Sequence, residues 1–109
     1  MGTFLDRIDP ADARTIDGYK ITHEAGFRGY VSDCIQEAFY LAVDTGEQVV
    51  FKFNHALIVV ESTSDPDVLY QAYSRGEEAG AKRLGNGMTR CGPSVDIEYA
   101  EDPFQELLG

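Results

Sequence analysis

Over residues 48–62 the apolar positions alternate in a way that fixes a pairing. A two-residue turn at Asn54-His55 sets Phe53 opposite Ala56, Phe51 opposite Ile58 and Val49 opposite Val60, all on one apolar face. A slip of one residue would break that face, so the pattern specifies a register as well as a hairpin. The other face carries Gln48, Val50, Lys52, Leu57, Val59 and Glu61, a mixed set suited to partial cover or to solvent. His55 fits poorly in a type I′ turn, which needs positive φ at both central residues, and a longer turn through Ala56 stays open.

Before this hairpin the period is helical. Ile35, Ala38, Phe39, Ala42 and Val43 fall at i, i+3, i+4, i+7 and i+8, Asp33 with Gln36 matches a capping box, and Gly46 supplies a left-handed stop. A strand over residues 38–43 is the rival, because Phe, Tyr and Val favour sheets; the cap, the stripe and the glycine together decide for helix. After the hairpin, Asp65-Pro66 opens a second helix whose stripe is Leu69, Ala72, Tyr73, Gly76, Ala79 and Gly80. Gly76 and Gly80 each cost about 1 kcal/mol relative to Ala inside a helix, so on a buried stripe they imply a close backbone approach.

The flanks are less regular. Residues 1–14 read as an arm or short helix, with Asp9-Pro10 able to start a turn. Tyr19, Ile21 and His23 alternate, as do Phe27, Gly29 and Val31, around a turn at Ala25-Gly26, which predicts a second hairpin. Residues 85–93 read as a glycine-rich loop, Val95, Ile97 and Tyr99 as a strand, and residues 100–109 as an acidic and hydrophobic tail. The architecture predicted is an α+β fold in two layers. An antiparallel sheet including residues 48–53 and 57–61 is covered on its apolar face by two main helices, near residues 33–44 and 66–84.

Composition narrows the class. With 109 residues, 43% hydrophobic and 26% charged, residues 1–109 read as a single globular domain able to build its own core. The longest apolar run, residues 56–60, falls far short of the roughly 20 residues that cross a bilayer, and the N-terminus lacks a signal-peptide layout, so a cytoplasmic protein is expected. The net charge of −10 repels phosphate backbones and anionic lipid, which argues against direct nucleic-acid binding and against a membrane surface. Lys82, Arg83 and Arg90 are the only candidate basic stripe.

Residues 33–83 carry a recognisable series of segments: AVDTGE closing the first helix, VVFKFN and LIVV as strands, and SDPDVLYQAYSRG opening the second helix. In this series the chain resembles small uncharacterised proteins encoded by tailed bacteriophages. The resemblance spans about half the chain and describes a helix, hairpin and helix scaffold without a catalytic signature. His55 departs from it, standing where such proteins often have Gly after the Asn. The resemblance implies an accessory role inside a bacterial host cell and assigns no function to any residue.

The chain has no P-loop, HExxH, GxSxG, EF-hand or strand-linked GxGxxG motif. Cys34, near a helix N-terminus, offers a thiol–imidazole dyad with His23 or His55. Cys34, Cys91, His23 and His55 also have the composition of a zinc site, but none of the usual short ligand spacings occurs. No catalytic residue, metal or cofactor is therefore assigned, and the chain is expected not to be an enzyme. Tyr30, Tyr40, Tyr70, Tyr73 and Tyr99 could form an aromatic patch or simply pack in the core.

The function expected is a small acidic protein-binding domain, a phage-encoded inhibitor that blocks a host nucleic-acid-handling or defence protein by charge mimicry. Its partner would carry a basic surface. The candidate contact residues are Asp65, Asp67, Tyr70, Glu77, Glu78, Asp96, Glu98, Glu101, Asp102 and Phe104. Two alternatives are a structural or assembly component forming a homo-oligomer, and a small thiol-dependent enzyme.

Overall fold

The computed structural model describes residues 4–26 and 29–93. In chain order the elements are β1 (Leu5–Arg7), β2 (Thr15–Ile16), β3 (Tyr19–Lys20), β4 (His23–Ala25), α1 (Val31–Thr45), β5 (Val49–Phe53), β6 (Ala56–Val60), α2 (Pro66–Arg75), β7 (Lys82–Gly85) and β8 (Met88–Cys91). Short 3₁₀ turns lie at Pro10–Asp12 and Gly76–Ala79.

β5 and β6 pair antiparallel in the predicted register, Val49 with Val60, Phe51 with Ile58 and Phe53 with Ala56. Asn54 takes the left-handed conformation (φ 54°) and His55 does not, so the imidazole residue avoids the geometry to which it is ill suited. The four-stranded sheet has the order β5-β6-β8-β7, and one of its pairs, β6 with β8, is parallel. The fold is α+β as expected, but its main sheet is mixed. The chain leaves β6 through α2, and the β7–β8 hairpin then inserts its second strand beside β6.

On one face of this sheet Val31, Cys34, Ile35, Ala38 and Ala42 of α1 and Leu69 and Ala72 of α2 pack on Val49, Phe51, Ile58, Val60 and Cys91. The stripe read from the sequence is reproduced except at its last member, Val43, which is exposed. The opposite face is covered as well: Ile21 with Ile8, Ile16 and Tyr19 roofs Val50, Leu57 and Val59. The domain thus has three layers where two were expected. The reason lies in β6 itself, which is apolar at five successive positions and is buried at all five, so it needs cover on both sides.

The third layer comes from the N-terminal segment, and its pairing differs from the expected second hairpin. Asp17-Gly18, both at positive φ (53° and 82°), turns β2 into β3, while β4 pairs with β1 so that Arg7 lies opposite His23. Val31 opens α1, two residues earlier than predicted. Asp33 is therefore not the cap, and its carboxylate reaches back to accept from the Tyr30 N–H (3.1 Å). The Asp9-Pro10 turn forms as read, with Asp9 accepting from the Ala11 N–H.

Two further readings are corrected. α2 stops at Arg75, because Gly76 (φ 71°) and Gly80 (φ 102°) leave the helical region; a Cβ on either would meet nothing, so they serve backbone shape and not close packing. The expected loop over residues 85–93 is largely the β7–β8 hairpin, turned by Asn86-Gly87 with φ of 55° and 78°, the sequence pair that type I′ turns favour. The expected strand at Val95–Tyr99 and the tail over residues 100–109 lie outside the described residues. Among the described residues no helix is long and apolar enough to cross a membrane.

Gly92 follows β8 at φ 76°, and a Cβ there would strike the Val59 carbonyl oxygen and come within 2.9 Å of Leu69 Cδ2. Gly92→Ala should lower the unfolding free energy by about 2–4 kcal/mol, measured by chemical denaturation, because overpacking adds to the positive-φ penalty.

Candidate protein-binding surface

The register of the β5–β6 hairpin places charges that sequence distance keeps apart. Val49 pairs with Val60, so the α1–β5 connection and the β6–α2 connection leave the same end of the sheet. The Gln48 side-chain amide donates to Glu61 across that end (2.8 Å). Asp44, in the last turn of α1, and Glu47 arrive with the first connection, and Glu61, Asp65 and Asp67, the last in the first turn of α2, with the second. Between residues 29 and 74 the sole basic residue is Lys52, at the other end of β5. None of these five carboxylates makes an ion pair among the described residues. The C-terminal end of α1, which has no basic residue in its last turn, adds its partial negative charge to this pole.

Large apolar side chains stand next to the carboxylates. On the outward stripe of α1, Tyr40 is 64% exposed and Val43 53%, one turn or less from Asp44. On α2, which packs beside α1 on the same face of the sheet, Val68 and Tyr70 are also exposed. An apolar anchor rimmed by charge is the usual anatomy of a protein interface.

The structure divides the sequence-predicted contact residues. Asp65 and Asp67 belong to the acidic pole, where the Asp65 carboxylate also accepts from the Asp67 N–H (2.9 Å) as the cap of α2. Glu77 and Glu78 lie past the far end of α2 and are engaged, Glu77 with Arg83 (2.6 Å) and Glu78 with Arg75 (3.6 Å). Asp96, Glu98, Glu101, Asp102 and Phe104 lie outside the described residues. Asp44, Glu47 and Glu61 were not among the predicted contact residues, although the hairpin register already implied that their two connections meet. Of the other tyrosines, Tyr73 is half-buried, stacked on His55 and accepting from the Asn54 amide (2.8 Å).

Among the described residues no hydrogen bond joins either thiol to an imidazole. Cys34 and Cys91 are fully buried in the helical-side core, and His55 sits on the hairpin turn. Among the described residues no group of three or more His, Cys, Asp or Glu is placed to hold a metal ion. Burial pushes the Cys34 thiol up to about 11, aided by Glu37 and Asp33, and pushes Cys91 up to about 11 as well. Desolvation here outweighs the thiolate-favouring effect expected of a helix N-terminus. Both thiols should resist iodoacetamide at pH 8 in the folded protein and alkylate rapidly in guanidinium, read by mass spectrometry.

His23 is buried on β4 with Nδ1 2.7 Å from Thr22 Oγ1, which itself accepts from the Val50 N–H. Burial, then the Arg7 guanidinium, hold its pKa below the ordinary 6.5, against smaller opposing effects of Glu37 and Asp6. The unfolded chain therefore binds a proton here at a higher pH than the folded one. This contribution to stability is complete above pH 6.5 and is lost as pH falls from 6.5 through the folded-state value. The urea midpoint should decline between pH 7.5 and 5.5, and His23→Gln should flatten that decline.

Compared with known proteins, the chain matches no family model, no curated protein and no solved structure.

Proposed function

We propose that this chain is a non-catalytic protein-binding domain that presents the outer face of its helices to a basic surface on another protein. The observation that carries this reading is the placement of exposed Tyr40 and Val43 beside a pole of carboxylates that make no ion pair among the described residues. The carboxylates of Asp44, Glu47, Asp65 and Asp67 would steer a cationic partner from a distance, and Tyr40 with Val43 would supply the desolvated contact that holds it. The resemblance to phage accessory proteins implies a role inside a bacterial host, and the acidic pole suits a host protein that handles nucleic acid or takes part in defence, whose phosphate-binding groove it would occupy. The buried, poorly ionised thiols offer no support for the thiol-dependent alternative. Like charge opposes self-association through this face; the assembly alternative would use a sheet edge or the glycine-bearing end of the second helix instead, and predicts a stable oligomer without any partner.

The test compares wild type with Tyr40→Ala/Val43→Ser and with Asp44→Lys/Glu47→Lys as baits on bacterial lysate at low and high salt. All four positions are exposed, so folding should persist. A basic protein retained by wild type should bind about tenfold or more weakly to the apolar variant. Its salt sensitivity should shrink in the charge variant. Identical capture by all three baits, or capture unaffected by salt, would overturn the proposal.

A further inference from the structure

Eight of the nine basic residues lie among the described ones, and four of those are tied up: Arg75 with Glu78, Arg83 with Glu77, and Lys82 and Arg90 with Asp17. Of the remaining four, three line one groove of about 600 Å³. Arg7 comes from β1, Arg14 from the segment leading into β2, and Lys52 from β5. The same groove is lined by Asp9, Asp12 and Glu24.

None of these six charged groups is in an ion pair among the described residues. Here opposite signs face one cavity from separate elements and stay apart. Ile8 and the buried Ile21 add apolar surface, and buried His23 adds a ring kept largely neutral at pH 7. The volume lies within the roughly 300–1,000 Å³ of small-molecule sites.

A cavity that offers both signs unpaired is complementary to a ligand that carries both. We propose that this groove binds a small zwitterion of amino-acid or dipeptide size, its carboxylate held by Arg7, Arg14 and Lys52 and its ammonium by Asp9, Asp12 and Glu24. Lys52, whose ammonium now donates to the Asn54 carbonyl oxygen (3.0 Å), would exchange that bond for the ligand carboxylate. The site lies on the N-terminal layer and is independent of the helical face assigned to partner binding.

The test titrates the full chain with the dipeptide alanyl-leucine, with its N-acetylated form and with its C-amidated form, followed by calorimetry and by the His23 ring resonances. The free dipeptide should bind saturably and shift His23, and each capped form should bind about tenfold more weakly, the loss expected for one charge-assisted contact. Arg14→Gln should narrow the preference for a free carboxylate, and Asp12→Asn with Glu24→Gln should narrow the preference for a free ammonium. All three are exposed positions, so folded variants are expected, and circular dichroism checks them. Absence of saturable binding, equal binding of the three peptides, or preferences unchanged in the variants would each overturn the proposal.

Discussion

The domain is organised around the need to keep water from both faces of one strand. β6, with the sequence ALIVV, is fully buried at every position. Each of its larger side chains gains about 1.5–3 kcal/mol from full burial, so leaving Leu57 and Val59 wet would forfeit several kcal/mol. Two covers result. The helices take Ala56, Ile58 and Val60, and the N-terminal strands take Leu57 and Val59.

The second cover is built from strands of two or three residues, too short to stand alone, and polar contacts hold it to the sheet. Thr22 exchanges bonds with the backbone of Val50, its N–H donating to the Val50 carbonyl (2.9 Å) and its hydroxyl oxygen accepting from the Val50 N–H (2.9 Å). At the other end Asp17, in the β2–β3 turn, accepts from Arg90 and pairs with Lys82, while the Arg90 guanidinium lies over Tyr19 (5.1 Å). Glu37 of α1 joins the two covers by accepting from the N–H groups of Phe4 and Leu5 (3.0 and 3.1 Å).

This use of charge shapes the surface. Arg75, Lys82, Arg83 and Arg90 are paired around α2's C-terminal end and the β7–β8 hairpin, so Glu77 and Glu78 have cationic partners while the carboxylates of the opposite pole make no ion pair among the described residues. The acidic pole is a product of where the cations went as much as of the acids themselves. The groove on the N-terminal layer is the converse, a place where cations and carboxylates face the same space without combining.

The sequence by itself determined what neighbouring residues settle among themselves. The β5–β6 register followed from six apolar side chains, the starts of both helices were legible to within a few residues, and the Asp9 and Asp65 caps formed where they were read. Asp17-Gly18 and Asn86-Gly87 also carried their turns locally, in a pair type whose positive φ the turn requires, although that signal was passed over. Tertiary structure alone decided which strands lie side by side. β4 took β1 as partner instead of the following segment, and β8 entered beside β6 in parallel, because distant apolar surfaces compete for the same cover and no local pattern records the winner. The candidate surface divides likewise: Tyr40 and the carboxylates were visible one by one, but their grouping, and the pairing of Glu77 and Glu78 with arginines, depended on chain segments meeting in space.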